Sequence, residues 1–292
     1  MLEVTQLVRR FGEKVAVDEV SFSVPEGMLT GFVGGNGAGK TTTMRMIMGV
    51  LGVHGGEVRW DGIAATAADR RRFGYMPEER GLYPKQPIFD QLVYLARLRG
   101  MNAAAAASRA EGLLERFELG GRRKDKLESL SLGNQQRVQI AAAVIAEPMA
   151  LILDEPFSGL DPAAVDSMAT LLGEYAARGV PILFSSHQLD LVERLCDRLI
   201  ILANGRVVAQ GSAAELTATG PTRYRLVLDG GVEWLREFAG VTVVETTGQS
   251  AIVELTDTTT DKLLAEALTR GSVRELAEVR ASVSDIYREA VA

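Results

Sequence analysis

A chain of 292 residues suffices for one large domain and a small one, and with 47% apolar residues it can bury a sizeable core, which excludes a disordered chain. The net charge of −6 argues against sequence-independent nucleic-acid binding, which runs on neutralised phosphates. A single cysteine, Cys196, excludes an intrachain disulfide, no ligand cluster is spaced for a metal, and no apolar run reaches the roughly 18–20 residues that span a bilayer.

The N-terminus shows no basic segment followed by an apolar one, so no signal peptide is expected. Residues 2–9 and 15–24 alternate as strands, and Pro25-Glu26-Gly27 reads as a turn before a short apolar strand at 28–33. A glycine-rich stretch follows, then a helix over 40–50, and Asp61-Gly62 marks another turn. From about Pro87 to Leu130 the pattern is helical; the alanine run at 103–107 is a good helix former with no chemical role. Residues 150–153 form a continuous apolar run, as in a parallel strand covered on both faces, and 180–185 forms a second. Strands at 197–203 and 206–210 flank Asn204-Gly205, a hairpin signal.

Around 217–222 the composition shifts to Thr, Gly and Pro, which marks a domain boundary. Beyond it the order is a strand at 224–229, a helix over 232–238, strands at 241–246 and 251–255, an amphipathic helix at 260–269 and a strand at 273–279. That order, βαββαβ, predicts a small α+β domain of ferredoxin-like type.

Two motifs carry chemistry. Residues 34–42 (Gly34, Gly35, Asn36, Gly37, Ala38, Gly39, Lys40, Thr41 and Thr42) fit the phosphate-loop pattern GxxxxGK[ST]. Glycines let backbone N–H groups turn inward around phosphate oxygens, and the helix N-terminus adds positive potential. Lys40 reaches the β- and γ-phosphates of a nucleotide, and the Thr41 hydroxyl serves Mg²⁺. The second motif is ALILDE at 150–155, which sets two carboxylates at the carboxyl end of a buried strand. Asp154 is expected to hold Mg²⁺ directly or through water, and Glu155 to polarise the attacking water.

Residues 130–137 read LSLGNQQR and open a helix with apolar Val138, Ala141, Val144 and Ile145. This resembles the LSGGQ signature of ABC ATPases, with Leu132 and Asn134 departing from the pattern and Ser131 and Gly133 keeping it. A serine there is also a common helix cap, and both readings can hold. Residues 158–161, SGLD, resemble the D-loop of that family, which adds Asp161. With these in hand the resemblance to ABC ATPases covers about residues 1–216, in the family's motif order. It implies a P-loop cassette with a mixed sheet core, an antiparallel N-terminal part and a helical subdomain at about 87–147. His187, in SSH, resembles the switch histidine that contacts the γ-phosphate, and Phe11 the aromatic that stacks on adenine. Where most members have Gln after a YxP segment, this chain has Glu78, which can approach Mg²⁺ or water but adds charge. Gly35 stands where many members have Pro.

Residues 220–292, with PEERGLYP at 77–84 and SDIYREAV at 284–291, resemble a branch that serves exporters of sodium, drugs or other compounds. The resemblance implies an ATPase using ATP and Mg²⁺, paired head to tail as a homodimer or paralogous heterodimer. It implies attachment to the cytoplasmic face of the membrane through separate membrane-spanning permease subunits, and no nucleic acid. Leu82, Tyr83 and Phe89 can form a groove for a short helix of that permease, or simply pack locally. The competing reading is a soluble ABC ATPase acting on ribosomes or DNA. Such proteins generally carry two cassettes, a long coiled coil or zinc cysteines, none of which this sequence contains.

Overall fold

The computed structural model describes residues 1–78, 81–218, 222–279 and 282–291. Gly220, the expected start of the second domain, and Glu79 and Arg80 of the PEERGLYP stretch lie outside the described residues. The chain divides into two compact units, with the division between Ala213 and Ala214.

The first unit opens with β1 (Leu2–Phe11), β2 (Lys14–Val24) and β3 (Leu29–Val33). The glycine loop then leads into α1 (Lys40–Ile47), followed by β4 (Gly55–Trp60), β5 (Ile63–Ala64), α2 (Ala67–Arg71) and β6 (Phe73–Met76). Three helices come next: α3 (Ile88–Leu98), α4 (Ala103–Arg116) and α5 (Leu132–Val144). The unit closes with β7 (Ala150–Leu153), α6 (Pro162–Ala177), β8 (Ile182–Ser186), α7 (Leu189–Leu195), β9 (Arg198–Ala203) and β10 (Arg206–Gly211).

These strands make two sheets. One is antiparallel, β2-β1-β4-β5, and the other is mixed, β10-β9-β3-β8-β7-β6. In the mixed sheet β9, β3, β8, β7 and β6 run parallel, and β10 pairs antiparallel at the edge. Every residue of β3, β7 and β8 is buried, which explains their uninterrupted apolar character. Phe32, Phe73, Leu2 and Met44 lie fully buried in the core between the two sheets and α1. Each such side chain contributes about 2–3 kcal/mol of burial. Asn204 and Gly205 both take left-handed backbone, φ 49° and 78°, as a two-residue hairpin turn between β9 and β10 requires.

The helix expected over 40–50 ends earlier. Gly49 adopts φ 71° and its N–H turns back to the Met46 carbonyl, so the chain leaves the helix at Met48.

The second unit contains α8 (Ala213–Ala218), β11 (Arg223–Leu228), β12 (Val241–Thr247), β13 (Ser250–Leu255), α9 (Thr260–Arg270), β14 (Val273–Val279) and α10 (Val283–Val291). Its sheet order is β12-β13-β11-β14, all antiparallel, the arrangement of a ferredoxin-like sandwich. Leu226, Leu228, Val253, Leu263 and Ala267 form its core, so the amphipathic face of α9 closes on one side of the sheet. The expected helix over 232–238 is a single 3₁₀ turn, Glu233–Arg236. Gly231 and Gly240 take φ of 85° and 78° on either side and cut it short. Among the described residues no helix is long and apolar enough to cross a membrane.

Candidate active site

The order β3-β8-β7 within the parallel sheet brings three carboxyl ends side by side. From β3 comes the glycine loop, from β8 Ser185, Ser186 and then His187, and from β7 Asp154 and Glu155. Residues more than a hundred positions apart thus meet at one sheet edge, where ligands of open α/β sheets bind. A cleft of about 440 Å³ opens there, walled by Gly35 to Thr42 on one side and Glu78, Asp154 and Glu155 on another.

The loop needs its glycines. Gly37 has φ 80°, and Gly39 has φ 105° with the Ala16 carbonyl oxygen 2.6 Å from where a Cβ would sit. A side chain at Gly39 would therefore force the loop off β2. Lys40, 8% exposed, opens α1 and turns its ammonium back over the loop. Its Nζ donates to the Gly34 carbonyl at 2.6 Å and the Gly35 carbonyl at 3.3 Å. A buried cation must be paired, and here the loop's own carbonyls hold it at the cleft. Thr41 Oγ1 faces the cleft and donates to Glu78 Oε2 at 3.4 Å.

Asp154 is 1% exposed. Ser185 Oγ donates to its Oδ1 at 2.6 Å, while its Oδ2 is buried with no hydrogen-bond partner. A buried carboxylate oxygen without a donor is costly unless a cation or its water completes it. That orphaned oxygen, the Thr41 hydroxyl and the neighbouring Glu78 carboxylate are hard oxygen donors of the kind Mg²⁺ takes. Among the described residues no set of three or more His, Cys, Asp and Glu is arranged to hold a metal ion alone. Mg²⁺ would therefore depend on nucleotide oxygens for the rest of its shell, its usual mode. One strand over, burial and then the charge of Asp154 push the Tyr75 phenol up, so it stays protonated.

Glu155 has φ 52°, left-handed and disfavoured for a residue with a side chain. Its N–H donates to Ser185 Oγ at 2.8 Å, and its Oε2 lies 3.0 Å from His187 Nδ1. Ser185 therefore serves both carboxylate residues, Asp154 with its proton and Glu155 as an acceptor. Its importance has no signature in the sequence beyond its place in SSH.

Phe11, 49% exposed, lines the far end of the cleft beside Lys14 and Ala16, with the Arg9 guanidinium 4.9 Å above its ring. An exposed aromatic at a cleft mouth is a stacking platform for a flat base. Lys14 and Ala16 escaped sequence reasoning because they are ordinary strand residues until the sheet places them.

Ser131, Gly133, Asn134 and Asp161 are not among the residues lining this cleft. Ser131 caps α5, accepting from the Asn134 N–H at 3.4 Å, and Asp161 caps α6, accepting from the Ala164 N–H at 2.8 Å. His187 lines a neighbouring cleft of about 380 Å³ with Leu132, Gln135, Gln136, Glu78 and Glu155.

A phosphate loop, an orphaned carboxylate oxygen and a second carboxylate beside it, at the carboxyl ends of parallel strands of one sheet, define a P-loop nucleotide-hydrolysing cassette. The model of the ABC transporter family matches residues 17–158, and that of the ATP-binding protein DrrA1-3-like, C-terminal domain matches residues 211–291. Over 293 residues, 100% of this chain and 98% of the relative, it is 38% identical to the uncharacterized ABC transporter ATP-binding protein YhaQ of Bacillus subtilis (strain 168). It is 37% identical over 207 residues to the Nod factor export ATP-binding protein I of Burkholderia lata, covering 70% of this chain and 68% of that protein. A solved ATP-binding subunit of an ABC transporter superposes with a TM-score of 0.69 at 35% identity, over 75% of this chain and 92% of that one. The chain belongs to the ABC transporter family, as one of its ATP-binding ATPase subunits.

Proposed function

We propose that this chain is the motor of an exporter whose membrane-spanning subunits are separate chains, and that two cassettes close head to tail around ATP. The observation that carries this reading is the place of Ser131 and Gly133. They stand at the exposed or half-exposed N-terminus of α5, outside the cleft that holds Lys40 and Asp154. A helix N-terminus is an anion site, so these residues suit the phosphates of a nucleotide carried by a second cassette. Residues 1–216 are the motor, with residues 87–147 as its signature-bearing subdomain, and residues 220–292 tune dimerisation or coupling.

In this reading Phe11 stacks on adenine, residues 34–42 wrap the phosphates and Lys40 neutralises the terminal ones. Thr41 and Asp154 hold Mg²⁺, with Glu78 beside them; the ion supplies charge neutralisation on the phosphate oxygens. Glu155 accepts a proton as water attacks the terminal phosphorus, and the bond to the ADP oxygen breaks. His187 holds the Glu155 carboxylate and faces the departing phosphate.

A cleft of about 310 Å³, lined by Met48, Leu82, Leu95 and Ile145 with the polar Arg99 and Gln139, suits a short permease helix; of the expected groove residues Leu82 lines it and Tyr83 and Phe89 do not. Tyr83, next in sequence to Leu82, is 58% exposed. The Gln91 side chain fixes the Tyr83 backbone, accepting from its N–H at 2.8 Å and donating to its carbonyl at 2.9 Å. Through such a partner the chain would sit at the cytoplasmic face of the membrane. Export is supported by the relative named for Nod factor export. The reading is tested with Glu155→Gln, which keeps the shape of the site and loses the base. With ATP it should form a stable dimer by light scattering, reversed by removing nucleotide. A strictly monomeric, ATP-loaded variant would contradict the two-cassette arrangement.

A further inference from the structure

The left-handed backbone of Glu155 needs holding, and four hydrogen bonds hold it. Its N–H donates to Ser185 Oγ, its carboxylate meets His187, and its carbonyl accepts from the Ser158 N–H at 3.2 Å. Those three partners all belong to the catalytic edge of the mixed sheet. The fourth comes from elsewhere: Gln136 Nε2 donates to the Glu155 carbonyl at 2.9 Å. Gln136 sits on α5, five residues beyond the Ser131 cap, about 7.5 Å along the same rigid helix.

The surroundings of this bond are open. The 380 Å³ cleft separates Leu132, Gln135, Gln136 and Gln139 of α5 from Glu155 and His187. Gln135 and Gln139 are 5% exposed, yet the Oε1 of each is buried without a partner. Those two side chains anchor α5 in the protein, and the Gln136 amide ties the helix across the cleft to the Glu155 backbone.

We propose that Gln136 is a positioning residue that couples the signature end of α5 to the geometry of Glu155. The inference rests on the head-to-tail reading above. If Ser131 and Gly133 engage ATP held by the other cassette, α5 is drawn toward that site. The Gln136 amide then carries the displacement to the backbone of this cassette's own base. Each composite site thereby senses whether the other is loaded, without any ligand passing between them.

The test uses the full chain with Gln136→Met, which keeps length and apolar bulk but has no N–H donor, and Gln136→Glu. ATP hydrolysis is followed against ATP concentration, ATP binding is titrated directly, and thermal melts are recorded. The wild type should respond cooperatively to ATP. In Gln136→Met the Hill coefficient should fall to about 1 and kcat roughly five- to tenfold, with ATP affinity held within about twofold and an unchanged melt. Gln136→Glu, an ionised acceptor facing the Glu155 carbonyl, should fall at least as far as Met at pH 8 and recover relative to wild type as acidification restores an O–H donor to its carboxyl. A Gln136→Met enzyme with wild-type kcat and cooperativity overturns the coupling. So does a parallel loss of ATP affinity and melting temperature, which marks a structural role, and so does a non-cooperative wild type. A wild type that binds ATP but never hydrolyses it overturns the underlying motor reading as well.

Discussion

The two units differ in how some of their buried polar groups are partnered. In the first, the buried Asp154, Gln135 and Gln139 each keep an oxygen without a partner, and all three lie at or beside the clefts. Among the described residues of the second unit the buried polar residue is Arg223, 5% exposed, and its guanidinium is paired with Glu254 at 2.8 Å and Asp285 at 3.7 Å. A paired buried charge such as Arg223 stabilises the fold, whereas a buried carboxylate oxygen left without a donor marks where something else can arrive. The partnerless oxygens of Asp154, Gln135 and Gln139 sit at the clefts, although Thr30 Oγ1 and Arg9 Nε are also buried without a partner away from them.

Lys40→Ala should break that contrast most severely. It removes the cation that meets the phosphates, so ATP affinity by direct titration should fall at least a hundredfold, roughly 3 kcal/mol, with the melt little changed. Unaltered affinity would detach the glycine loop from nucleotide binding. Arg223→Met should do the reverse. It strands two partly exposed carboxylates and should destabilise the second unit by about 2 kcal/mol, discounted from a fully buried pair, while ATP affinity holds. Chemical denaturation with nucleotide titration separates the two effects.

A pH series sharpens the same point. Asp285 is partly desolvated, which opposes its ionisation, yet hydrogen bonds from the Ser282 N–H and hydroxyl and the charges of Arg288 and Arg223 hold its carboxyl below the usual range. Its stabilisation is therefore complete above the unfolded carboxylate value of about 4 and is lost as pH falls through the lower folded value. Asp285→Asn should flatten the acid limb of a melt of the second unit. An unchanged acid limb would remove Asp285 from that role. The smallest effect is expected at Glu78. Its 3.4 Å contact to Thr41 is long, so Glu78→Gln should change basal turnover by less than about threefold, and a far larger loss with binding retained would make it a direct catalytic group.

The sequence made the phosphate loop and the two carboxylates legible because each is a contiguous motif with its own strand and helix context. The order of the second unit was legible in part: its four strands and its second helix stand where the pattern placed them, and its first helix is a single 3₁₀ turn. What escaped was whatever acts through space. Ser185 reads as part of a strand and Gln136 as an unremarked helix position, and only the adjacency of β7 and β8 and the approach of α5 join them to Glu155. Helix ends were blurred where a glycine beyond the apolar pattern decided the exit, as at Gly49. The signature was legible as a motif and as a helix cap, but its separation from the Lys40 cleft needed coordinates.

The central claim is that each active site is built from two cassettes, and mixed dimers test it most directly. Homodimers of Lys40→Ala and of Ser131→Arg should both be inactive, because every site carries one defect. A mixed dimer concentrates both defects in one site and leaves the other whole. Differently tagged variants are co-expressed, mixed dimers are isolated, and trapped nucleotide is counted. The head-to-tail arrangement requires about one occluded ATP per mixed dimer against almost none in either homodimer. Stably assembled mixed dimers that trap no more ATP than the homodimers would contradict it.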